Sequence, residues 1–407
     1  MRKSHFIGAA LALALGATLA PSMSIAKDKP AAADTVGEKA MPAFAAAQAA
    51  MTKKDYAGAI PSIDKAKGLA SSPYEKFLVG QFRAIVGSNL KDNAMISTGF
   101  DEAVDSGYTK PPVDDYAYRS GVMAYQAGDQ TKAIARLQLS QKLGNQSADI
   151  PLIIADAYYK AKRTPEGLAY AESNYQADVA AKRVTTQDML ARTAQAALTA
   201  KMPAETGLWL SRLVSNYPTP TNWHDLLVIF RDQHPTLSTG GLMDLYRLMK
   251  ATNSFKGARE VEEYAEVALD KKGVPGEAKA ALDDAQASGV QMTKTMQEIR
   301  TIAATKATAD HAALLGYYKQ AAAAPTGRPA RGAAEAAFSY KDYAKAIEMY
   351  QLAQKKGGIE PRLINMGLGE SYALSGDKAN ARTAFAAVDG ESAELAKYWI
   401  LSLDVAK

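Results

Sequence analysis

The chain contains no cysteine. This excludes disulfides, thiol nucleophiles and thiolate metal sites, and with them the acylated cysteine of a bacterial lipoprotein. Histidine is scarce, four in 407 residues, and tryptophan scarcer, with three. After the first 26 residues no run is apolar enough to cross a bilayer. No charge sign dominates either: 48 Lys and Arg stand against 43 Asp and Glu. A nucleic-acid binder would show a basic stripe, whereas here charges are interspersed as on solvated helix faces. Stability therefore has to come from packing of an Ala-rich chain that is 47% apolar.

The N-terminus carries an address. Arg2 and Lys3 precede an apolar stretch from Phe6 to Ala20, and Ser24-Ile25-Ala26 fits a small-x-small cleavage rule. The apolar stretch is shorter than the roughly 20 residues of a membrane span. Residues 1–26 thus read as a cleaved secretory signal, with the periplasm of a Gram-negative bacterium as the expected location. Cleavage leaves 46 basic against 43 acidic residues and no integral membrane segment. Lys27 to Lys39 is polar, with Pro30 and Gly37, and reads as a flexible leader.

A two-helix unit recurs along the rest. Its second helix is announced by Asp55-Tyr56, by Gly128-Asp129, by Asp342-Tyr343 and by Gly376-Asp377, each followed by small and apolar residues at helical spacing. The first unit spans about 40–70 and a looser one 74–106, closed by Pro111-Pro112. The third has Tyr118, Val122 and Tyr125, then Ala133, Leu137 and Ser140. The fourth begins 34 residues later, with Ala155 to Tyr158 and then Gly167 and Ala171. A fifth runs from about 187 to Tyr217-Pro218. The middle departs from the pattern. A helix is expected from Asn222, with Asn222 as its cap, then a break at Gly240-Gly241 and a helix at Leu242–Leu248. A further pair ends at Gly289, and two helices are expected over 291–306 and 308–324. Ala321 to Pro329 is the expected joint between sub-domains, and residues 391–405 form an amphipathic closing helix.

The sharpest copy lies near the C-terminus, where Leu368-Gly369-x-x-Tyr372 is followed by Ala381-x-x-x-Phe385. It resembles the tetratricopeptide repeat (TPR), which puts small residues where two helices approach and aromatic residues between helix pairs. The tryptophan and closing proline of that pattern are here Asn365 and Ala393. The sequence also resembles exported proteobacterial TPR proteins of unassigned function, through Tyr217-Pro218, Trp223, Asp225-Leu226 and Asp244-Leu245-Tyr246-Arg247-Leu248. The resemblance implies an all-α, TPR-like solenoid of α-α hairpins wound into a right-handed superhelix. TPR-like repeats over 40–220 and a C-terminal pair with capping helix over 325–407 would flank a degenerate helical block over 221–324.

Chemistry is sparse. After signal removal only His224, His234 and His311 remain. His224 and His234 lie ten residues apart, not at the i, i+3 or i, i+4 spacing of a helical metal pair. Gly367-x-Gly369 lacks the third glycine of a dinucleotide loop and reads as close helix packing. No enzyme, cofactor or metal is expected.

In a TPR the first helix of each hairpin lines a concave groove. The resemblance puts Tyr118, Tyr125, Asp156 and Tyr159 there in the N-terminal half, and Arg328, Arg331, Phe338 and Glu370 in the C-terminal half. Tyrosine and arginine are frequent interface anchors, and Arg328 with Arg331 would suit a carboxylate. Against this, the tyrosines would also serve as filling between repeats, and the arginines as solvated surface. The expected function is a non-catalytic periplasmic scaffold or adaptor that binds a protein or extended peptide of the cell envelope, and no nucleic acid. The alternative is a module for envelope carbohydrate.

Overall fold

In a computed structural model of the chain, residues 34–405 are described; the expected signal segment, residues 1–26, and the start of the expected leader lie outside them. Among the described residues there is no strand, and no helix is long and apolar enough to cross a membrane. The chain packs as two units, residues 34–181 and 182–405.

The first unit consists of four helical hairpins: α1 (Met41–Thr52) with α2 (Tyr56–Leu69), α3 (Pro73–Leu90) with α4 (Asn93–Val104), α5 (Val113–Ala127) with α6 (Gln130–Lys142), and α7 (Ile150–Lys160) with α8 (Thr164–Ala180). The second opens with the hairpin α9 (Gln187–Thr199) and α10 (Pro203–Asn216). An irregular set follows: α11 (Pro220–Gln233), α12 (Thr239–Ala251), α13 (Ala258–Glu266), a π turn (Val267–Lys271), α14 (Pro275–Ala287) and α15 (Lys294–Ala323). It ends with α16 (Arg328–Ser339), α17 (Tyr343–Lys356), α18 (Pro361–Ser375), α19 (Lys378–Ala386) and α20 (Ala393–Val405).

One local device makes five of these hairpins. A residue with positive φ ends the first helix, and the aspartate after it caps the second. The pairs are Lys54-Asp55, Lys91-Asp92, Gly128-Asp129, Lys341-Asp342 and Gly376-Asp377, with φ of 60, 58, 87, 62 and 89°. Each carboxylate accepts from an amide three residues on: Gly58 at 2.9 Å, Met95 at 2.9 Å, Lys132 at 3.0 Å, Lys345 at 3.1 Å and Asn380 at 3.1 Å. That satisfies one of the unpaired amides at the helix start. Lys162-Arg163 and Lys201-Met202 keep the turn and lack the cap.

Small residues set the hairpin spacing. A Cβ on Gly80 would lie 2.3 Å from the Ala103 amide nitrogen, and one on Gly99 2.4 Å from that of Ala84, so α3 and α4 meet backbone to backbone. In the last hairpin a Cβ on Gly369 would lie 2.5 Å from the Phe385 ring, and one on Gly367 2.2 Å from Tyr350. The Phe385 ring in turn stacks on Trp399 of α20 at 5.5 Å.

Five expectations change. Asn222 does not cap α11. Thr219 does, accepting from the Asn222 amide at 3.2 Å, while buried Asn222 donates to the Tyr217 carbonyl at 2.7 Å. Gly240 and Gly241 do not break the chain; they form the first turn of α12, and Gly241 is small because Leu237 folds against it. Residues 294–323 are one 30-residue helix, since nothing between them stops a helix, Gly316 being its only glycine and proline being absent. The joint expected at 321–329 is a turn inside the second unit, tied by the Gly327 amide to the Gly357 carbonyl at 2.9 Å. Val36 to Lys39 are not a free leader: Val36 is buried, and the Gly37 amide donates to Glu75 at 2.8 Å.

Helix α20 is more than a solvating end cap. Leu395, Ala396, Tyr398, Trp399 and Leu403 are all buried, against α19 and α18 on one side and α10 and α12 on the other. Tyr398 meets Phe230 of α11 edge to face at 5.8 Å, and Ser238 donates to Glu391 at 2.6 Å. The second unit thereby closes its last helix onto its first ones.

Candidate functional site

The groove residues of the first unit come together in pairs. Tyr118 and Tyr125 stand two helical turns apart on α5, and Asp149 and Asp156 have the same spacing along the α7 segment. Stacking one hairpin on the next brings partners 31 residues apart into contact. The Tyr118 hydroxyl donates to Asp149 at 2.6 Å, and the Tyr125 hydroxyl donates to Asp156. Lys160 joins the second pair, 3.1 Å from Asp156 and 4.0 Å from the centre of the Tyr125 ring. Burial, and then the neighbouring carboxylate, push both phenols above their usual range, so at neutral pH they stay protonated and donating. The rings are half-buried and their positions fixed. Tyr159 is not part of this strip. It packs inward across its own hairpin against Gly167, where a Cβ would lie 2.5 Å from the ring.

In the second unit, Glu370 and Phe338 do not face an open groove. They converge, with Glu335, on Arg247 of α12. Arg247 is 4% exposed. Its Nε and Nη2 each lie 2.8 Å from a Glu277 oxygen, Nη1 lies 2.8 Å from Glu370, and Nη2 lies 3.1 Å from Glu335. The Phe338 ring lies under it at 4.1 Å. The positions assigned to ligand recognition therefore bind a side chain of the same protein.

Arg247 is charged and fully engaged, but the carboxylates outnumber it. Burial opposes ionisation of Glu335, yet Arg247, Lys272 and Arg331 together hold it down to about 2. Glu370 goes the other way. Burial raises it, Arg247 only partly offsets this, and Asp244 raises it further. Its second oxygen is buried without a hydrogen-bond partner. Asp244 is pushed up to about 6, by burial first.

Arg328 and Arg331 open on a different place. They line a cavity of about 560 Å³ with Lys271 at the end of the π turn, Lys272 just after it, and Tyr317 and Gln320 of α15. Two carboxylates border it, both engaged. Asp310 accepts from Tyr317 at 3.0 Å and Tyr340 at 2.8 Å, and Glu335 is held by Arg247. Among the described residues, no group of three or more His, Cys, Asp or Glu side chains is placed to hold a metal. His224 instead contacts Glu260 at 2.7 Å and Asp225 at 3.2 Å.

Arg247 was missed as a site residue, although the sequence carries a signal for it. It is the one full charge inside Leu245-Tyr246-Arg247-Leu248-Met249, a run apolar on every helix face, which marks a buried helix. Its partners have the same signature, Glu335 among four alanines and Glu370 between Gly369 and Ser371.

No protein-family model and no curated protein matches this sequence. Among solved structures, the C-terminal part of a TPR repeat-containing protein from Cytophaga hutchinsonii is similar. It is 17% identical over 63% of this chain and 98% of that one, with a TM-score of 0.36. The TPR2AB domain of yeast Sti1, in a complex with pHSP90, is 14% identical over 71% and 98%, at 0.27. Yeast Tom70 is 11% identical over 90% and 95%, at 0.23. These scores are low, and the fold assignment rests on the packing above. With capped turns, glycine-to-aromatic packing and stacked hairpins, this chain is an all-α protein built of helical hairpins, the architecture that the resemblance to TPR repeats implied.

Proposed function

We propose that the protein is a non-catalytic periplasmic scaffold that holds a protein or an extended peptide on the strip formed by α5 and α7. The observation that carries this reading is the pair of half-exposed tyrosines, Tyr118 and Tyr125, each fixed by a carboxylate from the next hairpin. Aromatic anchors held in place before binding lose little entropy when a partner arrives. Leu152 adds a half-buried apolar surface between Asp149 and Asp156. In the second unit Glu370 and Phe338 are taken up by Arg247, which argues against them as partner contacts.

The test is site-specific photo-crosslinking in the periplasm of the producing cell, with the reactive residue at 152 and a control at exposed Lys142 on α6. A defined polypeptide is expected from 152 and not from 142. The purified polypeptide should then bind the protein at least tenfold more tightly than the Tyr118→Ala/Tyr125→Ala variant. Equal capture at both positions, or unchanged affinity in the folded variant, would remove the strip as the binding surface.

A further inference from the structure

The cavity beside α16 has more positive charge than its own carboxylates answer. Four cations line it, Lys271, Lys272, Arg328 and Arg331, against Asp310 and Glu335. Among the described residues, Lys271 and Arg328 form no ion pair. Lys272 reaches Glu335 only at 3.7 Å, and Arg331 reaches it at 3.5 Å. Arg331 is the telling group. Its Nε is buried and donates to nothing, and its single hydrogen bond is that long one. A guanidinium presents five N–H donors in a fixed fork, and leaving a buried donor unmet is costly. The rest of the Arg331 side chain, 28% exposed, lines a cavity large enough for a small molecular group. Helix α16 begins at Arg328, so the positive end of its dipole lies on the same side.

We propose that this cavity is a binding site for a doubly charged oxyanion, a phosphoryl group above all. Arg331 would bind it through the Nη atoms of its guanidinium, with Lys271, Lys272 and Arg328 around the remaining oxygens. The excess of two positive charges matches a phosphate monoester dianion. Arginine's planar fork suits phosphate geometry. A single carboxylate would leave half of that charge unanswered. Tyr317 and Gln320 supply polar groups for whatever the phosphate is attached to. The site lies in the second unit and is independent of the polypeptide strip on the first.

Titration calorimetry of the full mature chain with inorganic phosphate tests this, with acetate as the singly charged control. Wild type should bind phosphate saturably and at least tenfold more tightly than acetate. Arg331→Gln should weaken phosphate at least tenfold with little change in the unfolding midpoint. Lys271→Gln/Arg328→Gln, both at exposed positions, should do the same should Arg331→Gln prove unstable. Sedimentation with phosphatidylcholine vesicles containing phosphatidic acid then identifies the source. Co-sedimentation displaced by free phosphate supports the site in its lipid form, and phosphate binding without co-sedimentation supports it in its soluble form. Absence of phosphate binding, equal affinity for acetate, or variants that bind like wild type would overturn the proposal.

Discussion

At the scale of single residues, the second unit depends on Arg247. Replacing it with methionine would leave Glu277 and Glu370 buried without their cation. Removing one partner of a buried ion pair typically costs about 3–5 kcal/mol. Denaturant unfolding of Arg247→Met should show a loss of that order, partly recovered when Glu370→Gln is added. A loss below about 1 kcal/mol would mean that the carboxylates find other partners. Gly369 and Phe385 make a second residue-scale case. Phe385→Ala should cost about 3–5 kcal/mol through the void under Trp399, and Gly369→Val about 1–3 kcal/mol or more through overpacking. Because a Cβ at 369 would point at the Phe385 ring, the two losses should fall short of additive in the double variant. Strict additivity would show that the two residues do not share the contact.

At the scale of elements, the turns are where this sequence departs from its cheapest solution. Three of the five aspartate-capped hairpins place lysine, not glycine, at positive φ: Lys54, Lys91 and Lys341. A left-handed conformation costs an L-residue about 1–2 kcal/mol, and glycine's extra unfolded-state entropy takes back roughly 0.5–1 kcal/mol. Lys91→Gly should therefore stabilise the first unit by roughly 0.5–1 kcal/mol, read as a rise in denaturant midpoint without a change in slope. A destabilised variant would mean that the lysine side chain matters to the turn. Helix α12 shows the opposite economy. It has no exposed face to speak of, with Met243, Leu245, Tyr246, Leu248 and Met249 all at 1% exposure or less. It is built to fill the face that a simple hairpin array would leave open.

At the scale of the molecule, the carboxylates around Arg247 make the second unit sensitive to pH. The folded-state value of Asp244 lies above its ordinary 3.8, at about 6. Its protonated form is thus favoured by folding, and the stability it contributes below its ordinary value is lost as pH rises through about 6. Glu335 has the opposite sign. Its value of about 2 lies below the ordinary 4.5, so its contribution is present above 4.5 and is lost as pH falls toward 2. Asp244→Asn should gain stability relative to wild type between pH 4 and 7 by an amount on the order of 2 kcal/mol. Unfolding at the two pH values measures it directly. The same difference at both would show that Asp244 does not carry the extra proton.

Within the regular hairpins the sequence by itself determined the local order: which turns an aspartate caps and which residues are small enough for two helices to touch. In the irregular block over 221–324 it misplaced a cap, a break and a helix end. Asp129, Asp342, Asp377, Gly369 and Phe385 act within one hairpin, across at most 17 residues, so period and composition report them directly. The Tyr118–Asp149 and Tyr125–Asp156 pairs were half legible. Their positions followed from the repeat, and their partnership would have followed from the shared 31-residue offset. Only the tertiary structure decided the rest. Arg247 meets Glu370 across 123 residues and Ser238 meets Glu391 across 153. No periodicity encodes such a meeting, because it depends on a non-repeating helix returning to the inner face of later repeats. For the same reason Glu370 and Phe338 moved from an expected groove into a core. Arg331 was expected on a groove, and the cavity it lines with Lys271 and Lys272 emerged only once the π turn was in place.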